Sequence, residues 1–296
     1  MPRPLPVAVL ALALALVAGC SSDDGPEAGP ARTTGSPARA PTTYEQYVAL
    51  GDSYTAAPLV PPTDSSTLCL RSGQNYPALV AEAMPGTTLT DVSCSGASTS
   101  NMTTPQTGLG GPVPPQFDAL SDTTDLVTIG IGGNDEALFA TLVGHCTQIA
   151  AADPTGAPCT AAQPQGGIDA TLADIRRNVA AVVDGVRARS PHARIVVVGY
   201  PQIVPHTGTC DLLPLAAGDY AFARRVSQGL STAVRLAAAD AQAEYVDLWA
   251  PSSGHDICSA EPWINGRVTK LDEALAYHPY EVEQRAVADL VLARIS

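Results

Sequence analysis

From Tyr44 to the C-terminus, short apolar runs closed by Gly, Asp or Pro alternate with longer stretches in which apolar residues return every three or four positions. The short runs predict strands, and because they are apolar at consecutive positions, strands covered on both faces. They fall at Tyr47–Leu50, Thr88–Val92, Leu126–Ile131, Arg194–Val198 and Glu244–Asp247. The longer stretches predict helices over Asn75–Ala83, Ile168–Arg189, Gly218–Ala239 and Tyr280–Ala293; in the second, Ile168, Leu172, Ile175, Val179, Val182 and Val183 share one face. Strands alternating with helices predict a doubly wound α/β domain on a five-stranded parallel sheet. Two segments, Gly144–Gly167 and Tyr200–Gly218, hold several cysteines and read as stapled loops, where substrate-binding surfaces tend to lie. No internal repeat is visible.

The chain ahead of this domain has a different composition. Arg3 precedes an apolar run from Leu5 to Ala18 that is too short for a convincing membrane span, and residues 1–19 read as an export leader. The leader ends in Val17-Ala18-Gly19-Cys20, which resembles the lipobox of bacterial lipoproteins and implies cleavage before Cys20 and lipidation of its thiol. The bland alternative is an ordinary secretory leader with an incidental Cys. Residues 20–43 are rich in Pro, Ser, Thr, Gly and Ala and too poor in large apolar side chains to fold, which makes them a tether. The domain then spans 44–296, and the protein is expected on the outer face of the cell membrane through its lipid anchor, or secreted. A net charge of −13 argues against a nucleic-acid partner, since phosphate contacts need clustered Lys and Arg.

Seven cysteines fit that location by parity. With Cys20 lipidated, Cys69, Cys94, Cys146, Cys159, Cys210 and Cys258 remain, an even set with fifteen possible connectivities. The sequential set 69–94, 146–159 and 210–258 closes short loops and crosses no strand. A metal site is a weak alternative, because no C-x-x-C spacing and no adjacent His pair is present.

Acyl-transfer chemistry has its candidates at the strand ends. The G-x-S-x-G elbow of common α/β hydrolases is absent, but Ser53 follows the first strand, Ser93–Ser98 the second, and Gly130–Asp135 the third. All three clusters would face one crevice. Ser53 is the candidate nucleophile, and its own N–H, the Gly96 N–H and the Asn134 amide form a candidate oxyanion hole. His278, in a Tyr-His-Pro turn before the last helix, is the candidate base; His255 is its rival, and His145, His192 and His206 read as incidental. Asp52 reads as a structural cap of the turn. Gly130-x-Gly132 lacks the third glycine of a dinucleotide loop, and Asp135 would repel phosphate.

In this order "GDSY" around Ser53, Gly96, "GGND" around Asn134 and "HP" at His278 resemble the SGNH hydrolases, the GDSL family of esterases and lipases. With the "GHDIC…PW" stretch the chain looks most like the secreted actinobacterial branch. The resemblance implies a flavodoxin-like three-layer α/β/α fold, three sequential disulfides, no metal or other cofactor, and an ester or lipid substrate; a monomer is expected. One position departs from the pattern: Leu275 stands three residues before His278, where family members usually carry Asp. A backbone carbonyl near Leu275 or in the Trp263 loop is the expected substitute, with Asp256 and Asp272 as less favoured ones. The reading is therefore an extracytoplasmic serine esterase. Its alternatives are a cell-envelope carbohydrate deacetylase or acyltransferase, and a non-catalytic envelope-binding lipoprotein.

Overall fold

Along each strand successive side chains point to opposite faces, so a run apolar at every position must be covered twice. The computed structural model describes residues 43–296 apart from residues 109 and 165, and in it the three central strands are covered on both faces. The expectation is corrected at the edges: Thr88–Asp91 alternates exposed and half-buried positions because Thr-Leu-Thr-Asp offers no second apolar face, and Glu244–Val246 is buried only at Val246. The predicted leader, Cys20 and the tether as far as residue 42 lie outside the described residues. Five strands, β1 (Gln46–Gly51), β2 (Thr88–Asp91), β3 (Leu126–Gly130), β4 (Arg194–Val198) and β5 (Glu244–Val246), pair in parallel in the order β2-β1-β3-β4-β5. This is the flavodoxin-like order, which puts a crevice outside the carboxyl ends of β1 and β3. Val48, Leu50, Val127, Ile129, Ile195 and Val197 face one core; Tyr47, Ala49, Leu126, Val196 and Val198 face the other.

Among the described residues four helices of seven residues or more fill the two outer layers. On the larger core lie α2 (Gly167–Arg189) and α3 (Tyr220–Asp240); on the smaller lie α1 (Tyr76–Glu82) and α4 (Glu281–Ile295). In α2, Ile175, Val179, Val182, Val183 and Val186 are buried, whereas Ile168 and Leu172 at its amino end are only half-buried. Helix boundaries depart from the periodic pattern where a cap takes over. Asn75 stands outside α1, accepting the Ala78 N–H in its side chain (3.1 Å) with Pro77 in the first turn.

The expected loop Gly144–Gly167 is corrected: it carries helical turns at Cys146–Ile149, Ala150–Ala152 and Pro158–Ala162, preceded by one at Ala140–His145. Leu138, Leu142, Cys146 and Ala150, spaced by four, are all buried there, and that period outweighs the Gly and Pro that suggest a loop. Asp219 anchors this segment, accepting the N–H groups of Cys159 (2.9 Å) and Thr160 (2.8 Å). Disulfides join Cys69 to Cys94, Cys146 to Cys159 and Cys210 to Cys258. No helix among the described residues is long and apolar enough to cross a membrane.

Candidate active site

At the end of β1 the backbone is held tightly. The Gln116 amide accepts from the Gly51 N–H and donates to the Gly51 carbonyl, both at 2.8 Å. Asp52 then leaves the sheet and caps a single helical turn, Ser53–Ala56, its Oδ1 accepting the Tyr54 N–H (2.9 Å). Its Oδ2 accepts the Tyr200 hydroxyl, whose oxygen in turn accepts the Gly133 N–H (2.8 Å). Asp52 is thus more than the cap of one turn: through Tyr200 it joins the Ser53 turn to the loop after β3. Desolvation raises its pKa to about 7, against the lowering effect of the Tyr200 and Tyr54 hydrogen bonds. Ser53 opens the turn and is itself buried. None of the hydrogen bonds described takes up its N–H, as expected for the first amide of a helical turn.

The loops after β2 and β3 close on that turn. Cys94 donates its N–H to the Gly51 carbonyl (3.0 Å), and the Ser95 hydroxyl donates to the Cys69 carbonyl (2.7 Å), so the Cys69–Cys94 pair fixes the chain entering Gly96. Gly96 itself sits at φ +78°, a conformation that side-chain-bearing residues resist. Asn134 donates from Nδ2 to the Ala97 carbonyl (2.9 Å), which brings its amide beside Gly96. Gly133 is required by close approach, because a Cβ there would lie 2.1 Å from the Phe139 ring. Asp135 is buried and faces inward rather than toward a ligand, accepting the Thr99 N–H (2.8 Å), the Thr99 hydroxyl (2.5 Å) and the Asn178 amide (3.1 Å).

His278 closes a turn in which its N–H donates to the Leu275 carbonyl (3.1 Å). Its Nδ1 lies 2.7 Å from the Ala276 carbonyl, a contact that requires the proton on Nδ1 and leaves Nε2 as an acceptor. The half-buried ring stands 5.8 Å from the Tyr54 ring, and the Tyr54 hydroxyl donates to the Tyr277 carbonyl (3.0 Å). Desolvation lowers the His278 pKa to about 4, while the Ala276 hydrogen bond acts to raise it. Among the described residues no hydrogen bond joins the Ser53 hydroxyl to His278; such contacts are often long before substrate binds.

The rivals of these residues have other partners. His255 binds the Glu261 carbonyl through Nδ1 (2.7 Å) and stacks on Trp263 at 4.8 Å. Asp256 caps the Cys258 N–H (2.8 Å), and Asp272 is exposed on a turn. Among the described residues no three His, Cys, Asp or Glu side chains converge as metal ligands would.

Sequence reasoning passed over Tyr200, Gln116 and the Glu283-Gln284 pair. Gln284 spans two elements, donating to the Tyr54 carbonyl (2.9 Å) and accepting the Tyr76 N–H (2.7 Å), and so ties α4 and α1 to the Ser53 turn. Glu283 is buried behind it, and desolvation raises its pKa to about 8, opposed by the Gln284 hydrogen bond. The folded protein therefore keeps a Glu283 proton that the unfolded chain releases near 4.5, so this contribution to stability is lost as pH climbs to about 8. Asp52 acts with the same sign between 3.8 and about 7, and His278 with the opposite sign between about 4 and 6.5. Of these three groups only the two acids act above pH 6.5. The melting temperature is expected to fall from pH 6.5 to 8.5, and Glu283→Gln to flatten the fall; equal slopes by calorimetry would remove Glu283 as its source.

A parallel sheet of this order, with its polar clusters at the carboxyl ends of β1 to β3 and a histidine turn before the last helix, defines a three-layer α/β/α hydrolase. Residues 49–281 match the GDSL-like lipase/acylhydrolase family, and the chain belongs to that family. It is 41% identical over 264 residues to Lipase 2 of Streptomyces coelicolor, covering 86% of each chain. It is 31% identical over 236 residues to a lipase of Streptomyces rimosus, covering 79% of this chain and 80% of that one. Among solved structures, phospholipase A1 from Streptomyces albidoflavus matches with a TM-score of 0.68 at 30% identity, over 85% of this chain and 99% of that one. The extracellular lipase of Streptomyces rimosus matches at 0.65 and 27% identity, over 86% and 99%. The protein is a carboxylic ester hydrolase of the lipase and esterase kind.

Proposed function

We propose that this enzyme acts outside the cytoplasm and hydrolyses carboxylic esters through an acyl-enzyme on Ser53, with His278 as its base. The observation that carries the reading is the contact between His278 Nδ1 and the Ala276 carbonyl, which sets the ring's tautomer beside the turn that bears Ser53. Nε2 takes the proton as the Ser53 hydroxyl oxygen attacks the ester carbonyl carbon. The Ser53 and Gly96 N–H groups and the Asn134 amide, drawn together by the bonds from Cys94 and Asn134, hold the oxyanion. Collapse expels the alcohol, which leaves with the proton from His278. Water then attacks the acyl group, His278 taking its proton, and Ser53 is regenerated. Export is supported by the six paired cysteines, which persist in oxidising compartments, and a lipid at Cys20 would keep the enzyme at the cell surface.

Labelling by a fluorophosphonate probe, followed by a chain-length series of p-nitrophenyl esters, tests this reading; no labelling and no turnover would overturn it. The pH profile adds a sharper check. Below its pKa the imidazole is cationic and accepts no proton, so the acid limb of kcat/KM is expected near pH 4 rather than near the ordinary histidine value of 6.5. A limb at 6.5 would show that the ring is not desolvated in the free enzyme.

A further inference from the structure

Among the described residues four large apolar side chains stand out in solvent: Leu212 (47% exposed), Val268 (62%), Leu271 (76%) and Val282 (51%). Their places are not scattered. The Arg267 N–H donates to the Leu212 carbonyl (2.9 Å), which sets Leu212 beside the loop of residues 266–276. Within that loop Lys270 and Ala274 exchange two backbone hydrogen bonds (3.0 Å each), and Leu271 rides at the tip of the turn they close. Asn265 fastens the loop from below, its amide donating to the carbonyls of Val268 (2.9 Å), Ala274 (3.0 Å) and Leu275 (3.2 Å). The Asn265 N–H donates to the His278 carbonyl (2.9 Å), so the apolar tips and the catalytic imidazole belong to one hydrogen-bonded unit. Val282 lies in the first turn of α4, two residues past Tyr280, over whose ring the Lys270 ammonium sits at 5.0 Å.

A fastened turn with Leu at its tip, where a polar residue would serve, marks a surface built to leave water. With about half or more of their surface exposed the four side chains project into solvent, which suits a deformable assembly better than an inserted peptide or helix. Charge narrows the occupant further. Lys270, the only lysine of the sequence, and Arg267 flank the tips, but Asp211, Asp272 and Glu273 flank them too, and the whole chain carries −13. Attraction to anionic headgroups is therefore absent, and what remains is burial of apolar side chains with Lys270 and Arg267 able to extend toward a headgroup layer.

Resting on the esterase reading above, we propose that the loop of residues 266–276, with Leu212 and Val282 beside it, seats the enzyme on a neutral lipid–water interface. The mouth of the Ser53–His278 site is thereby held against aggregated ester substrate. The patch and the site share a loop, so seating one presents the other.

The test separates the surface from the chemistry. In a Ser53→Ala background, cosedimentation with phosphatidylcholine vesicles should show binding that the Val268→Asp/Leu271→Asp double variant weakens at least tenfold. In the active enzyme the same pair should lower hydrolysis of an emulsified long-chain ester at least tenfold, while kcat/KM for monomeric p-nitrophenyl butyrate stays within twofold. The milder Leu271→Ala should shift both interfacial readouts in the same direction if the double variant folds poorly. The proposal is overturned if the Ser53→Ala parent does not bind vesicles, or if the double variant binds them as well as its parent. It is overturned equally if the soluble ester is lost in proportion, which would leave the loop as a mere support for His278, or if the patch proves to join two copies of the chain. Failure of the wild type on every ester would count against the esterase reading alone, since vesicle binding is read on an inactive protein.

Discussion

Ser53→Ala is expected to fold as the wild type does and to hydrolyse esters at least ~10⁴-fold more slowly, with fluorophosphonate labelling abolished. Two physical points fix both halves of that expectation. Ser53 is buried, so its truncation bears on stability as well as on chemistry. Among the described residues, however, no hydrogen bond ends on its hydroxyl, and removing it leaves no partner orphaned. The backbone N–H that opens the turn survives the substitution, as do Gly96 and Asn134. Oxyanion donors and binding alone leave a residual rate about 10³–10⁴ above water in the serine protease precedent, where losing the nucleophile costs about a millionfold. Retention of more than a hundredth of wild-type kcat, in preparations free of contaminating esterase, would remove Ser53 from the mechanism.

His278→Ala should fall by a comparable factor, while Asp256→Asn and Asp272→Asn each keep kcat within about tenfold of wild type. A true triad acid removed from a serine protease costs about four orders of magnitude, so the contrast is easily read. The geometry supports it. The Ala276 carbonyl already holds Nδ1 at 2.7 Å, Asp256 is engaged by the Cys258 N–H, and Asp272 is exposed on its turn. An exposed carboxylate beyond contact range acts on the ring only through a screened field. A thousandfold loss in either Asp variant, with its circular dichroism unchanged, would identify that residue as the third member of the site.

Much of this molecule can be read from its residues, for reasons that differ along the chain. Strands β1, β3 and β4 lie within a residue of the predicted ends because both of their faces are buried, which leaves an unbroken apolar run with a polar stop. The edge strands β2 and β5 match as closely although Thr88 and Thr90 of β2 are exposed and β5 is buried only at Val246. The clusters around Ser53, Gly96 and Asn134 were legible because the chain leaves a parallel sheet at strand ends, and β1 lies between β2 and β3. The helical turns around Leu138, Leu142, Cys146 and Ala150 were also legible, yet Gly144 and Pro154 among them suggest a loop. Tyr200, Gln116 and Gln284 were not legible at all. Their partners lie 148, 65 and 230 residues away, and nothing local distinguishes them from any other buried polar side chain. Leu212 and Leu271 read as ordinary apolar residues until the turn that lifts them is seen.

The partner of His278 Nδ1 has a consequence for how such enzymes evolve and are found. A carbonyl belongs to every amino acid, so no substitution at position 276 deletes it, and a saturation screen for lost activity would return two indispensable side chains where a triad returns three. Position 275 then has no carboxylate to supply, and the half-buried Leu275 can serve packing alone. A search keyed to an aspartate three residues before the histidine would discard this chain, although an acceptor for Nδ1 is present in its main chain.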